Sequence, residues 1–256
     1  MTRLRRLSRE EAADADRHFA TAAPQDLLAW GLEQFHPRMS LASSFGAEDV
    51  VLIDMLLKIN PQGRIFTLDT WRLPTETYAL IDRIREKYGV DIEILYPDIS
   101  AVDGMVKEIG YNGFYESIEN RKRCCGIRKV EPLNQLLENL DAWVTGLRRD
   151  QTATRTDTPK VEIDEIHAGM AKLNPLADWS NEQVWDYIRA HDVPYNELHD
   201  RGYPSIGCAP CTRAITAGED PRAGRWWWEM EGYDKECGIH IGEDAQGNPI
   251  ILRVGK

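Results

Sequence analysis

The chain lacks several features that would each have fixed its class. No apolar run approaches the length that crosses a bilayer, so no membrane partner is expected. Met1-Thr2-Arg3-Leu4-Arg5-Arg6-Leu7 is basic, but no apolar stretch or cleavage site comes after it. It does not read as a signal peptide, and a cytoplasmic protein is expected. Overall positive charge is missing too: 31 Lys and Arg face 42 Asp and Glu, for a net charge of -11. That argues against nucleic-acid binding through a broad basic surface. Internal repeats and low-complexity segments are absent. Cysteine is scarce, with five in 256 residues. In a reducing compartment such thiols point to metal binding or catalysis, not to a disulfide framework.

What remains is ordinary for a soluble globular protein: 42% hydrophobic and 29% charged residues, with enough length for one large domain or two small ones. Residues 1 to about 35 read as peripheral helices. Met39 to Gly46 reads as a strand running into a small-residue turn, and a helix starts at Ala47. Arg64–Thr70, Asp91–Tyr96, Asp141–Gly146 and Val161–Ile166 read as further strands. Between them, Pro74 opens a helix that Gly89 ends, and Glu116–Leu140 is helical or broken near Pro132. Ser180-Asn181-Glu182-Gln183 is a capping box that starts another helix. Strand-helix alternation predicts an α/β protein with a mostly parallel sheet covered on both faces. Ligands in such sheets sit beyond the carboxyl ends of the strands, where Ser43-Ser44-Phe45-Gly46 and Leu68-Asp69-Thr70 fall. A Ser/Gly turn at a helix start is expected to expose amides to an anion, although no phosphate-loop lysine succeeds it.

Four cysteines form two close pairs, Cys124-Cys125 and Cys208-Ala209-Pro210-Cys211. A Cys-x-x-Cys turn suits zinc or an iron–sulfur cluster. Adjacent helical residues point roughly 100° apart. That spread suits thiolates on different irons better than two ligands on one zinc, so a [4Fe–4S] cluster is favoured. Cys237, in Lys235-Glu236-Cys237-Gly238-Ile239-His240, is left over as a candidate nucleophile. Basic residues gather near the cysteines: Arg121, Lys122 and Arg123, then Arg128 and Lys129, then Arg213, Arg222 and Arg225. A local positive site in an acidic chain suggests a small, highly charged anion.

Taken together, six stretches resemble the phosphoadenylyl-sulfate and adenylyl-sulfate reductase family over roughly residues 39 to 240. They are Ser43–Asp49, Leu68–Thr70, Arg123–Lys129, Thr145–Gln151, Ile206–Cys211 and Lys235–His240. The cysteine pairs mark a resemblance to its iron–sulfur-containing adenylyl-sulfate reductase branch. The resemblance implies an adenine-nucleotide α-hydrolase-like fold with a five-stranded parallel core. It implies three parts: a helical segment 1–38, a nucleotide- and cluster-binding domain 39–230, and a mobile tail 231–256 carrying Cys237. It also implies a cluster held by Cys124, Cys125, Cys208 and Cys211, and thioredoxin or a glutaredoxin-like dithiol as reductant. Ser43, Ser44, Phe45 and Gly46 resemble the nucleotide-cradling loop, with Leu68 and Gly146 near the adenosine. Lys129, Arg155, Arg222, Arg225 and His240 match positions that hold the phosphosulfate, and His240 helps dock the Cys237 segment. A homo-oligomer is expected. Many relatives have Gly where this chain has Trp71, so a bulky residue is expected to alter the adenosine end.

Three other readings compete. The substrate could carry a 3′-phosphate. The chain could adenylate with ATP like related enzymes with a Ser-Gly-Gly-Lys-Asp-Ser loop, but Phe45-Gly46-Ala47-Glu48-Asp49 has lost that lysine. It could be a non-enzymatic redox sensor, which would leave Cys237, the arginines and the nucleotide loop idle.

Overall fold

Short apolar runs become the strands of one sheet. The computed structural model describes residues 4–152, 155–229, 242–243 and 249–250. Helices α1 (Arg9–Phe19) and α2 (Pro24–Phe35) lead into β1 (Met39–Ala42), α3 (Ala47–Ile59), β2 (Arg64–Leu68), α4 (Thr75–Tyr88), β3 (Glu93–Leu95) and α5 (Ile99–Ile109). The chain continues through α6 (Ile118–Cys125), a π turn (Gly126–Val130), α7 (Glu131–Leu137), β4 (Ala142–Val144), β5 (Val161–Asp164), β6 (Met170–Leu173) and α8 (Asn181–Ala190). Sheet order is β3-β2-β1-β4-β6-β5. Five strands run parallel, as expected. The sixth, β5, read from the sequence as Val161–Ile166, is an antiparallel edge strand paired to β6, the parallel strand that the sequence reading lacks. Among the described residues no helix is long and apolar enough to cross a membrane.

Burial on both faces comes from the strand period of two. In β4, Ala142 and Val144 join the core beneath α1, α2, α3 and α8, while Trp143 joins Phe66, Leu133, Leu137 and Met170 beneath α7. Helix α3 is buried at every position from Val50 to Leu57, because α2 and α8 cover the side that the sheet leaves open. The N-terminal helices belong to this same core: Phe19, Leu27, Leu28 and Phe35 are buried in it.

Local signals terminate the elements as the sequence indicates. Gly89 ends α4 in the left-handed region at φ 60°, and Ser180 with Gln183 forms a reciprocal cap on α8. Residues 242–243 and 249–250, in a stretch that reads as loose from its glycines, pair as a two-residue antiparallel ribbon.

One buried carboxylate ties three helices together. Asp54 on α3 accepts from Tyr88 Oη on α4 (2.9 Å) and Tyr187 Oη on α8 (2.7 Å), and pairs with Lys58 Nζ (2.7 Å). Burial pushes its carboxyl up, but the hydrogen bonds from Lys58, Tyr187 and Tyr88 outweigh that and hold it below the usual carboxylate range. Asp54→Ala strands both phenols and is expected to lower stability by about 2–4 kcal/mol. The check is the midpoint of urea unfolding, which should fall with an unchanged denaturant slope; an unchanged midpoint would contradict the role.

Candidate functional site

The strand order reverses between β1 and β4, since the chain builds outward from β1 through β2 and β3 and then returns to the other side. Such a switch point opens a crevice at the carboxyl ends of its strands. A cleft of about 940 Å³ lies there. The loops after β1, β2 and β4 line it, together with the segments around residues 199–208 and 215–225.

The β1 loop is shaped from within. Asp49, in the first turn of α3, accepts from Ser44 N (2.6 Å), Ser44 Oγ (2.8 Å) and Gly46 N (3.4 Å). Phe45 N donates to Ser43 Oγ at 3.1 Å. The amides expected to await an anion are therefore already spent on side chains. Ser43, Ser44 and Gly46 line the cleft, but Phe45 does not. Its backbone turns left-handed at φ 60°, and its side chain is fully buried in the core. Gly146, after β4, also lines the cleft. A Cβ there would fall 2.6 Å from Asp49 Oδ1 and 2.9 Å from Glu48 Cβ, so only glycine lets the two loops touch.

Glu48 holds the other side of this junction. It accepts from Arg148 Nε (2.9 Å) and Gln151 Nε2 (2.9 Å), and Gln151 also bonds the Gly146 carbonyl. Arg155 Nη1 donates to Gln151 Oε1. Arg148 is thus committed internally to Glu48, Asp150 and the Trp179 carbonyl.

Leu68 lines the cleft at the end of β2. Trp71 does not: it stands 42% exposed with φ 58°, and its N–H donates to Asp69 Oδ1. The left-handed backbone explains why glycine suits this position. The Trp71 side chain is not part of the cleft wall.

Lys129, Arg155, Arg222 and Arg225 all reach the cleft wall. Arg225 is 7% exposed, and its Nε has no hydrogen-bond partner among the described residues. Arg213 is instead held by Glu219, whose carboxyl that pairing and the Thr216 amide draw down to about 2. Lys129 lies within the π turn, so its four-residue spacing from Cys125 is not the spacing of one α-helical face. Its charge bears on Cys211 instead.

Cys124, Cys208 and Cys211 lie near one another beside the cleft. Cys208 lines it and hydrogen-bonds Thr70 Oγ1 at 3.2 Å. The Thr70 carbonyl accepts from Arg128 Nη1 at 2.7 Å. Cys208 acts on both Cys124 and Cys211, and Cys124 acts on Cys211. Burial raises the Cys124 thiol, and Arg128 and Arg72 oppose that. Burial and Cys208 push Cys211 up to about 12, against Lys129 and Arg225. Among the described residues, no three His, Cys, Asp or Glu side chains are set to hold a single metal ion. Cys237 and His240 lie outside the described residues.

Sequence reasoning assigns no role to Asp49, Glu48, Gln151, Thr70 or His199. In the structure Asp49, Thr70 and His199 each make or face the site directly, and Glu48 and Gln151 brace it. Asp49 and Gln151 sit inside stretches that do resemble the family. His199 carries no local motif; it lines the cleft with Nε2 buried and unpartnered among the described residues, and burial lowers its pKa.

Desolvation, with Glu48 beside it, raises the Asp49 carboxyl to about 6 despite the bonds from Ser44 and Gly46. A group with a raised folded-state pKa stabilises the fold below its unfolded pKa, and that contribution is lost as pH rises through the folded value. Relative to Asp49→Asn, the wild type should therefore lose on the order of 2–3 kcal/mol between pH 4 and pH 7. Paired thermal melts at those two pH values test this, and a constant difference would contradict it.

A family model described as "Phosphoadenosine phosphosulfate reductase domain" matches residues 38–214. A relative from Burkholderia cepacia, named "Adenosine 5'-phosphosulfate reductase", is 54% identical over 216 residues, covering 84% of this chain and 86% of the relative. The crystal structure of a phosphoadenylyl-sulfate reductase from Candida auris superposes with a TM-score of 0.72 at 29% identity, covering 82% of this chain and all of that one. An FMN adenylyltransferase from Candida glabrata shares the fold alone, at a TM-score of 0.52 and 15% identity over 77% of this chain and 62% of that one. Sheet, cleft and matched sequence agree, and the chain belongs to the phosphoadenosine phosphosulfate reductase family.

Proposed function

We propose that the chain is an adenylyl-sulfate reductase of sulfate assimilation, reducing adenosine 5′-phosphosulfate to sulfite and AMP. The observation that carries this reading is that Lys129, Arg222, Arg225 and Cys208 line one cleft at the sheet's switch point. A doubly anionic nucleotide bound there meets cations and a thiol group together. The Burkholderia cepacia relative's name supports the substrate.

In the proposed reaction, Cys237 thiolate attacks the sulfur of the nucleotide. An S–S bond forms, the S–O bond to the phosphate breaks, and the electron pair leaves with AMP. A dithiol of thioredoxin or glutaredoxin type then attacks Cys237 Sγ. Sulfite departs with the S–S electron pair, and the dithiol ends as a disulfide after supplying two electrons. Arg222 and Arg225 bind the anion, with Lys129 and Arg155 beside it, because a planar guanidinium pairs with sulfate or phosphate oxygens. Ser43, Ser44, Gly46, Leu68 and Gly146 form the nucleoside end. His240 docks the Cys237 segment.

Cys124, Cys125, Cys208 and Cys211 are the residues that would hold a [4Fe–4S] cluster. The donor set fits: thiols from two segments share one electrostatic neighbourhood, with Arg128, Lys129, Arg72 and Arg225 opposing their buried charge. The adjacent pair Cys124-Cys125 suits a cluster whose ligands each take a different iron better than one zinc. When bound, it adds an anionic inorganic centre beside the cations. Arg128 then has a reason to keep a buried Nε without a protein partner.

Mixing the iron-loaded protein with adenosine 5′-phosphosulfate and no reductant should add one SO3 to the peptide containing Cys237. Cys237→Ser should lose the adduct and sulfite formation while keeping its iron and broad visible absorption. An unmodified wild-type peptide sinks the covalent route, and an iron-free active protein sinks the cluster.

A second reading, use of the 3′-phosphorylated nucleotide, is favoured by the likeness to the Candida auris reductase. Sulfite formation from the two nucleotides, measured side by side, should favour the one without the 3′-phosphate. Equal turnover would defeat that preference.

A further inference from the structure

The guanidinium of Arg225 is positioned by protein groups from several sides. Its backbone is pinned first: Thr212 and Arg225 form an isolated β-bridge, and Trp226 N donates to the Cys211 carbonyl at 3.1 Å. Nη1 then reaches Ser205 Oγ (3.2 Å) and the Ile206 carbonyl (3.3 Å). Gly207 leaves the space that the head group fills, since a Cβ there would lie 2.4 Å from Nη2 and 2.7 Å from Cζ. The Trp226 ring closes the arrangement, with Arg225 Cζ 4.9 Å from its centroid.

Trp226 is itself fixed at some cost. It is 1% exposed, and its backbone is left-handed at φ 42°, which a bulky residue rarely adopts. A second guanidinium, that of Arg121, lies 4.6 Å from the ring centroid. Arg121 comes from α6, three residues before Cys124. Its Nε and Nη2 form a fork with Glu229 Oε1 (2.7 Å) and Oε2 (3.0 Å), and both side chains are almost fully buried. Glu229 neutralises Arg121, whereas Arg225 has no carboxylate partner among the described residues and acts on the Cys211 thiol.

We propose that Trp226, locked by the buried Arg121–Glu229 pair, is a positioning residue that aims the Arg225 guanidinium at the sulfate end of the nucleotide. The stack runs from the cleft to the helix bearing Cys124 and Cys125, so anion site and cysteine site are set by the same side chains. This rests on the proposed reductase activity.

The test compares Trp226→Leu, Trp226→Phe and Gly207→Ala with the wild type, all iron-loaded. Trp226→Leu removes the ring, and Gly207→Ala displaces the guanidinium from its other side. Each should raise KM for adenosine 5′-phosphosulfate about tenfold with kcat changed less than about threefold, the scale of a lost buried cation–π contact. Trp226→Phe keeps a ring and should restore most of the affinity. A purely structural tryptophan would lower thermal stability and the active fraction without moving KM. If Trp226→Leu does not fold, Gly207→Ala carries the measurement. KM within about twofold of wild type in the folded variants, too small a change for a lost contact of that kind, overturns the proposal. The Cys237 adduct is measured on the same wild-type preparation: no adduct defeats the reductase reading, whereas an adduct with unmoved KM defeats the positioning role alone.

Discussion

Asp49 sets the shape on which the cleft depends. A parallel strand entering a helix leaves amides unpaired at the turn, and in many folds an incoming anion pairs them. Here a carboxylate from the helix's own first turn takes Ser44 N and Gly46 N. The turn is complete without a ligand, and Gly146 can pack directly against it. Glu48, one residue earlier, faces the other way and collects Arg148 and Gln151 from the β4 loop. Two adjacent carboxylates thus join the loops of the two strands that flank the switch point. What they leave for a bound anion is not backbone but the arginine side of the cleft.

That side is organised by a balance of buried charge. Isolated charges do not survive burial, so each buried cation here is either paired or faces the cleft or the thiols. Arg121 is paired with Glu229 and Arg148 with Glu48. Arg128 and Arg225 differ, each keeping a buried Nε without a partner among the described residues. One stands against Cys124 and the other on the cleft wall. Among the described residues, the buried unpaired nitrogens of Arg128, Arg225 and His199 lie at the thiols or the cleft, while the fourth such atom, Ser40 Oγ, lies within β1.

Much of the fold is legible in the sequence, for local reasons. Strand β1 is an apolar run, Gly89 is a stop, and Ser180 with Gln183 is a reciprocal cap; each needs only neighbouring residues. Strand β6 is not legible. It is four residues long and carries Lys172, whose buried side chain is satisfied by Glu162 across the antiparallel pair. Helix α5 carries an Asp98 cap, apolar Ile99, Val102, Met105, Val106 and Ile109 at helical spacing and a terminal Gly110, a local signal that the strand-by-strand reading passes over. In the site, the cysteine pairs and most basic positions are readable as types of chemistry. The directions of Phe45 and Trp71 are not, because a left-handed backbone reverses where a side chain points. Nor is the use of Asp49, which depends on geometry between residues five apart that no periodicity records. The Trp226 stack joins residues more than a hundred positions apart, beyond any local signal.

The π turn at Gly126–Val130 makes chain length a functional quantity. A π turn is a helix holding one residue too many. Pro132, just inside α7, has no N–H to donate back across it, so the irregularity costs less here than elsewhere. Removing one residue would let α6 and α7 fuse into a continuous α-helix and rotate the residues beyond the deletion by roughly 100°. Arg128 would turn from the Thr70 carbonyl and Lys129 from the cleft. Along this stretch, descendants of the chain are freer to exchange residues than to gain or lose one.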